Sequence, residues 1–281
     1  QSAVDASDIA ATLQGALEAW DRVGPRLRDR YQALNASPAK GAFAFDPAQI
    51  AAPLPRAYQW LDASAFVSHG RLMKKALALK DDPQADGKPL MYQGASDDFL
   101  GPQADAPFVS VEDGIDFEGE FGVVLTETPM GASAIEAERS IALLVLINDW
   151  SLRNLAPREM RTGFGFLQAK PATAFGPVAI TPDELGPAWA GGRVHLSLHV
   201  ELNGARFGAP NGGAMHFRFG ELIEHAAKTR RLRAGTINLN YPDWDTSAPF
   251  GGYKQSGNGR EYADWGIHDF CEVKGIVGYG E

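Results

Sequence analysis

Two glutamates flank a single glycine at Glu118-Gly119-Glu120. In a strand, residues i and i+2 point to the same face, so both carboxylates project together. Like charges at that spacing repel and need a compensating cation or solvent. Gly119 between them permits close backbone approach. One reading is a pair of oxygen ligands for a hard divalent cation such as Mg²⁺ or Ca²⁺; the other is a solvated strand face. Asn148-Asp149-Trp150-Ser151 ends an apolar run. Asp149 therefore stands where a buried strand opens to a cleft, or else in a strand-terminating turn, which Asn-Asp makes readily. Asp62 and His69 are seven residues apart. Asp62 could be a further hard-cation ligand and His69 a general base near neutral pH, against a structural or exposed histidine. Lys170 follows Gly163-Phe164-Gly165-Phe166 and could stabilise developing negative charge, or be a plain surface cation.

Two further patterns are set aside. His195 and His199 are four residues apart on an alternating segment. In a strand that separation is roughly 13 Å, too far for one ion. The glycine-rich stretch at 251–259 lacks the Gly-Lys-Ser/Thr ending of a phosphate loop.

The elements that must position these residues are legible in part. Residues 8–34 read as helix, with Ile9, Leu13 and Leu17 recurring every four residues, and Gly24-Pro25 is expected to kink or split it. Residues 35–55 read as a connector, and residues 80–88 as a polar surface loop. From Ile115 strands dominate. Phe121, Val123 and Leu125 alternate, a short helix is predicted over 132–140, and 141–147 is a continuously apolar, buried strand. Residues 193–202 alternate strictly and predict one strand with a single buried face, closed by the hairpin signal Asn203-Gly204. Residues 219–231 predict a helix with a basic last turn. The pattern is α+β rather than alternating βαβ.

The 281 residues carry 26 Lys and Arg against 35 Asp and Glu, a formal net charge of −9. Such a chain has no general attraction for phosphate backbones or anionic lipid, so neither nucleic acid nor membrane is an expected partner. The single cysteine, Cys271, excludes an intrachain disulfide and cysteine-rich zinc modules, and predicts a reducing, cytoplasmic setting. No signal peptide or membrane-length apolar run is visible. The chain starts at Gln1 rather than Met, which predicts that the start of the reading frame is missing.

Taken in order, several segments resemble the fumarylacetoacetate hydrolase family. They are Trp60-Leu61-Asp62 with His69 after it, Leu90-Met91-Tyr92-Gln93-Gly94, Gly114-Ile115-Asp116-Phe117-Glu118-Gly119-Glu120, Ile147-Asn148-Asp149-Trp150-Ser151, Gln168-Ala169-Lys170-Pro171 and Phe219-Gly220-Glu221-Leu222-Ile223. The resemblance implies a strand-rich mixed β roll or sandwich with a partial helical N-terminal region. By position it implies that Asp62, Glu118, Glu120 and Asp149 hold Mg²⁺ or Ca²⁺, with Mn²⁺ also suitable. It further implies that His69 activates water, Lys170 supports the leaving carbanion and Tyr92 contacts substrate. The implied activity is hydrolysis of a carbon–carbon bond in a β-diketo acid, fumarylacetoacetate giving fumarate and acetoacetate in tyrosine catabolism, by a cytoplasmic homodimer. Acylpyruvate hydrolysis, hydration and decarboxylation are related family activities.

The chain departs from that pattern in two ways. Ser64, Ala156 and Met160 stand where members that cleave fumarylacetoacetate have Tyr, Gln and Tyr. After Arg233-Ala234-Gly235-Thr236 the family's closing strands, with a substrate-contacting Thr and a Glu that pairs with the catalytic His, give way to a segment that resembles the aldehyde dehydrogenase C-terminus. With no dinucleotide-binding domain ahead of it, that tail implies no NAD, and Cys271 reads as structural. The expected organisation is a partial N-terminal region over 1–58, a catalytic domain over 59–234 and the tail over 235–281. The tail is not expected to complete the sheet, and the chain reads as a truncated fusion. An impaired, metal-binding remnant is therefore the rival to a working hydrolase.

Overall fold

The computed structural model describes residues 2–36, 40–66 and 87–240. Among the described residues six strands make the main sheet: β1 (Trp60–Ser64), β2 (Leu90–Gln93), β3 (Gly119–Leu125), β4 (Ile141–Asn148), β5 (Ala174–Ile180) and β6 (Ile237–Asn240). Their order is β2-β1-β6-β3-β4-β5. The sheet is mixed, with β6 parallel to β1 and antiparallel to β3. Among the described residues the α-helices are α1 (Leu13–Glu18), α2 (Trp20–Ala36), α3 (Ala134–Glu138), α4 (Ala156–Thr162) and α5 (Phe219–Ala227). This is the strand-rich α+β class expected.

Both faces of the sheet are covered, so β3 and β4 carry apolar side chains on both sides. On one face Ala137 of α3 and Phe219, Leu222 and Ile223 of α5 pack against Leu61, Val123 and Leu125. On the other, Leu17 of α1 joins Trp60, Phe99, Val124, Ile147, Phe175, Ile237 and Leu239. Each fully buried Leu or Ile contributes about 1.5–3 kcal/mol. The rings of Trp60, Phe99 and Phe175 meet at 5.0–5.8 Å in tilted and edge-on contacts. Gly122 lets β3 lie close to its neighbours. A Cβ there would come within 2.6 Å of Ile147 and 2.9 Å of Leu239. The short helix α3 is fixed by a capping box between Ser133 and Glu136.

Three sequence expectations are corrected. The N-terminal helix divides at Ala19, whose φ of −128° is not helical, and not at Gly24-Pro25. Pro25 stays inside α2. It removes only the bond to the Asp21 carbonyl, in an exposed first turn. The strand expected over 193–202 is two short pieces, Arg193–Val194 and Val200–Leu202, in different hairpins. Leu196 between them is 45% exposed. Leu202 is 39% exposed as well, while Leu198 and Val200, two residues apart, keep the inward side and pack over Gly119. Helix α5 ends at Ala227, ahead of the basic residues. The hairpin signal Asn203-Gly204 is realised, with φ of 53° and 78°.

Strand β6 lies beyond residue 234, between β1 and β3 at the centre of the sheet. Ile237 and Leu239 face the apolar layer that holds Trp60 and Val124. Asn238 and Asn240 alternate with them and are fully buried. The rest of the tail, with Cys271 and the glycine-rich stretch, lies outside the described residues.

Candidate metal and active site

The site forms where β1, β3 and β4 bring their carboxylates together. Glu118 and Glu120 are 3% and 0% exposed, so the solvated-face reading does not hold. The backbone of Gly119 between them is packed under Val200 and Leu198. Asp149 follows the last residue of β4, and its N–H donates to the Glu118 carbonyl at 2.8 Å. No turn forms at Asn148-Asp149: Asn148 is the last paired residue of β4, and Asp149 enters the site in the irregular step before Ser151, where it is 1% exposed. Asp62 on β1 stands opposite Tyr92 on the antiparallel β2.

Lys170 joins the acids. Its Nζ donates to Glu118 and, at 2.8 Å, to Asp149 Oδ2. Asp149 Oδ1 accepts from Thr173 Oγ1 at 2.7 Å, and Oδ2 also accepts from the Tyr92 hydroxyl at 3.3 Å. Glu118 Oε1 accepts from Ser151 Oγ at 2.9 Å and pairs with Arg153 Nη2 at 2.6 Å. Arg153 is shared with Asp116 through Nε at 2.8 Å.

Asp62, Glu120 and Asp149 each offer an oxygen, and these atoms lie within 4.8 Å of one another. Asp62 Oδ1 and both Glu120 oxygens are buried with no hydrogen-bond partner among the described residues. Unpartnered buried carboxylate oxygens are costly. Among the described residues, the cations that four acids here face are Lys170 and the shared Arg153. The excess negative charge and the all-oxygen donor set fit a hard divalent cation. Glu118, the fourth predicted ligand, is turned toward Lys170, Arg153 and Ser151.

The protonation pattern follows from burial and charge. Burial pushes the Asp62 carboxyl up to about 7; Lys170 opposes this, while Asp149 and Glu118 add to it. Burial also raises Glu120, reinforced by Asp62, Asp149 and Glu118. Burial would raise Glu118 too, but the Lys170 and Arg153 charges win and hold it below the usual range. Burial would lower Lys170, yet Asp149 and Glu118 keep its ammonium well above the ordinary lysine value. Tyr92 is raised by burial and by the Asp149 charge, so it remains a neutral hydroxyl.

Of the residues singled out from sequence, Asp62, Tyr92, Glu118, Glu120, Asp149 and Lys170 come together. His69 lies outside the described residues. His195 is exposed and remote from the site in contact, its ring nitrogen 3.1 Å from the Ala190 carbonyl. Sequence reasoning gave no role to Ser151, Arg153 and Thr173, which hold the acids, or to Phe166, whose ring meets Tyr92 edge-on at 4.8 Å. Only the motif neighbours Ser151 and Arg153 carried a usable signal, their position just after Asp149.

A mixed sheet whose strand ends gather buried acids and one lysine defines an α+β protein with a hard-cation type of site. The chain belongs to the fumarylacetoacetate hydrolase family, matching "Fumarylacetoacetate (FAA) hydrolase C-terminal" over residues 59–239 and "Fumarylacetoacetase N-terminal domain 2" over 1–56. Enzymes of this family generally bind divalent metals, in keeping with the acidic triad. A third match, to the aldehyde dehydrogenase family, covers 219–276 and overlaps the first. Within it, 50 residues are 52% identical to a 3-succinoylsemialdehyde-pyridine dehydrogenase from Pseudomonas sp, covering 18% of this chain and 10% of that protein. The chain thus spans about a tenth of the length of the curated relatives it matches. Among solved structures, a 5-carboxymethyl-2-hydroxymuconate delta-isomerase from Mycobacterium smegmatis is similar with a TM-score of 0.54 and 19% identity, over 74% of each chain. A proposed fumarylpyruvate hydrolase from Burkholderia cenocepacia gives 0.52 and 12% identity, over 66% of this chain and 76% of that one. These likenesses concern the fold. No described helix is long and apolar enough to cross a membrane.

Proposed function

We propose that this chain is a divalent-cation-dependent hydrolase of a carbon–carbon bond in a β-diketo acid, of the fumarylacetoacetate or acylpyruvate type. The observation that carries this reading is the set of four buried acids around Lys170, with the Asp62 and Glu120 oxygens unpartnered. Asp62, Glu118, Glu120 and Asp149 would hold Mg²⁺, Ca²⁺ or Mn²⁺. Once bound, such a cation supplies Lewis-acid polarisation of substrate oxygens.

The remaining work falls to the chain's own groups. His69, as the proposed base, takes a proton from the water that attacks the substrate carbonyl carbon. The carbon–carbon bond then breaks, and the ammonium of Lys170 offsets the enolate charge that leaves. Tyr92 presents a neutral hydroxyl beside Asp149 and contacts substrate. Thr173 holds Asp149 in its orientation through the 2.7 Å hydrogen bond. A small-molecule substrate, a homodimer and a cytoplasmic location belong to the same proposal.

Ser64, Ala156 and Met160 favour a second reading, because none of them offers the phenol or the amide that fumarylacetoacetate-cleaving members carry there. In that reading the substrate is a smaller acylpyruvate or a hydroxymuconate-type acid, and the reaction is hydrolysis, isomerisation or decarboxylation. The replaced C-terminal segment favours slow turnover, since an unaccompanied His69 loses the carboxylate that orients it. The test is to add Mg²⁺ and follow loss of enolised-diketone absorbance with fumarylacetoacetate and simple acylpyruvates. Turnover abolished by His69→Ala supports the hydrolase, while cation binding without turnover of any of them supports the remnant.

A further inference from the structure

The segment that delivers Lys170 is irregular, and one side chain holds it. Residues 163–169 leave α4 through Gly163 and Gly165, both at positive φ, and run to Lys170 before β5 begins. Three successive backbone N–H groups in this turn have no strand to join. All three donate to the carboxylate of Glu159 on α4. Gln168 N lies 2.8 Å from Oε1, and Leu167 N and Ala169 N lie 3.1 and 3.0 Å from Oε2. The next link is also fixed, because the Ala169 carbonyl accepts from Leu152 N at 2.8 Å. Ala169 is fully buried, and Lys170 follows with its ammonium on Glu118 and Asp149.

We infer that Glu159 is a positioning residue for Lys170, clamping the 167–169 backbone so that the ammonium is held against the acids of the site. This rests on the proposed function insofar as Lys170 serves the reaction, and on geometry alone for the clamp. A carboxylate suits the task because its two oxygens accept several N–H bonds at once, and charged acceptors form the stronger bonds. Glu159 itself does not reach the site, and it acts only through the turn. A neutral amide at this position offers one accepting oxygen and two donors, and the donors oppose the backbone N–H groups.

The test uses the full chain and reads Lys170 directly. Trace acetylation with acetic anhydride is quantified at Lys170 relative to exposed Lys228, in wild type, Glu159→Ala and the near-isosteric Glu159→Gln. Both variants should increase relative Lys170 labelling about tenfold, equivalent to losing one charge-assisted hydrogen bond, and should speed amide exchange at 167–169, while keeping a folded far-UV circular dichroism spectrum. Unchanged labelling and exchange in a folded variant overturn the clamp. Turnover adds a second arm: Glu159→Ala should lower kcat on the order of 10- to 100-fold with little change in KM, and should cost nothing further in a Lys170→Met background. Equal losses in both backgrounds overturn the assignment. If wild type turns over no β-diketo acid, the hydrolase reading falls, and the labelling and exchange results alone decide the clamp.

Discussion

The Lys170 ammonium and the Asp149 carboxylate form an ion pair at 2.8 Å, with side chains 10% and 1% exposed. The same ammonium serves Glu118. One cation therefore neutralises two acids that come from different strands, and the loop carrying it is tied to both.

Lys170→Met is expected to leave two buried carboxylates short of a partner. Removing one member of a buried pair costs about 3–5 kcal/mol. The lower end applies here, because Arg153 and Ser151 still serve Glu118 and Thr173 still serves Asp149. Chemical denaturation in EDTA measures the loss, and saturating Mg²⁺ should recover part of it by substituting for the missing charge.

Asp62 makes cation affinity depend on pH. Its carboxyl, raised to about 7 by burial, keeps a proton in the folded metal-free protein that the unfolded chain releases near its ordinary value. A raised acid contributes stability that is fully present below the unfolded pKa and lost as pH rises through the folded one. Metal-free protein should therefore lose this contribution between pH 4 and about 7. Cation binding must expel the proton, so Mg²⁺ affinity should rise from pH 5.5 to 8. Titration calorimetry in two buffers of different ionisation enthalpy should detect proton release near pH 6, and less of it at pH 8.5 once Asp62 has ionised.

Asn238 and Asn240 are fully buried in the central strand, and neither Asn238 polar atom nor Asn240 Oδ1 has a hydrogen-bond partner among the described residues. Each such group costs about 1–3 kcal/mol. The near-isosteric Asn238→Leu is expected to stabilise the protein by about 1 kcal/mol, a rise of about 2–4 °C in melting temperature. Calorimetry checks this, and a fall in melting temperature would show that the amide has a partner.

How far the sequence could be read differs from residue to residue. The Glu118-Gly119-Glu120 spacing announced two acids on one face, but whether that face met water depended on what packs above it. The apolar run of β4 was plain because a strand buried on both faces needs no alternation. The alternation of 193–202 held only in part: Leu198 and Val200 pack over Gly119, but the segment is divided between two hairpins and leaves Leu196 and Leu202 exposed. Behind Gly163-Phe164-Gly165-Phe166, Lys170 read equally as a charge-stabilising cation or a surface one, and the family's motif order favoured the first. Glu159 was invisible, since eight residues and an irregular turn separate it from the first N–H it accepts. Strand β6 was unexpected in the sheet because the boundary was read at residue 234, whereas the fumarylacetoacetate hydrolase match runs to 239 and overlaps the aldehyde dehydrogenase match there. Its Ile237 and Leu239 still satisfy the period-two demand of one apolar face.

The central claim is that Asp62, Glu120 and Asp149, with Glu118 beside them, form a divalent-cation site. The most direct measurement is a Mg²⁺ titration of metal-stripped protein by isothermal calorimetry at pH 8, run beside Glu120→Gln. Wild type should show saturable one-site binding and a matching rise in melting temperature. Glu120→Gln, which removes a charge from two oxygens that have no other partner among the described residues, should weaken that binding at least about tenfold. Saturable binding of equal strength in both proteins, or no binding to folded wild type by Mg²⁺, Ca²⁺ or Mn²⁺, would contradict the account.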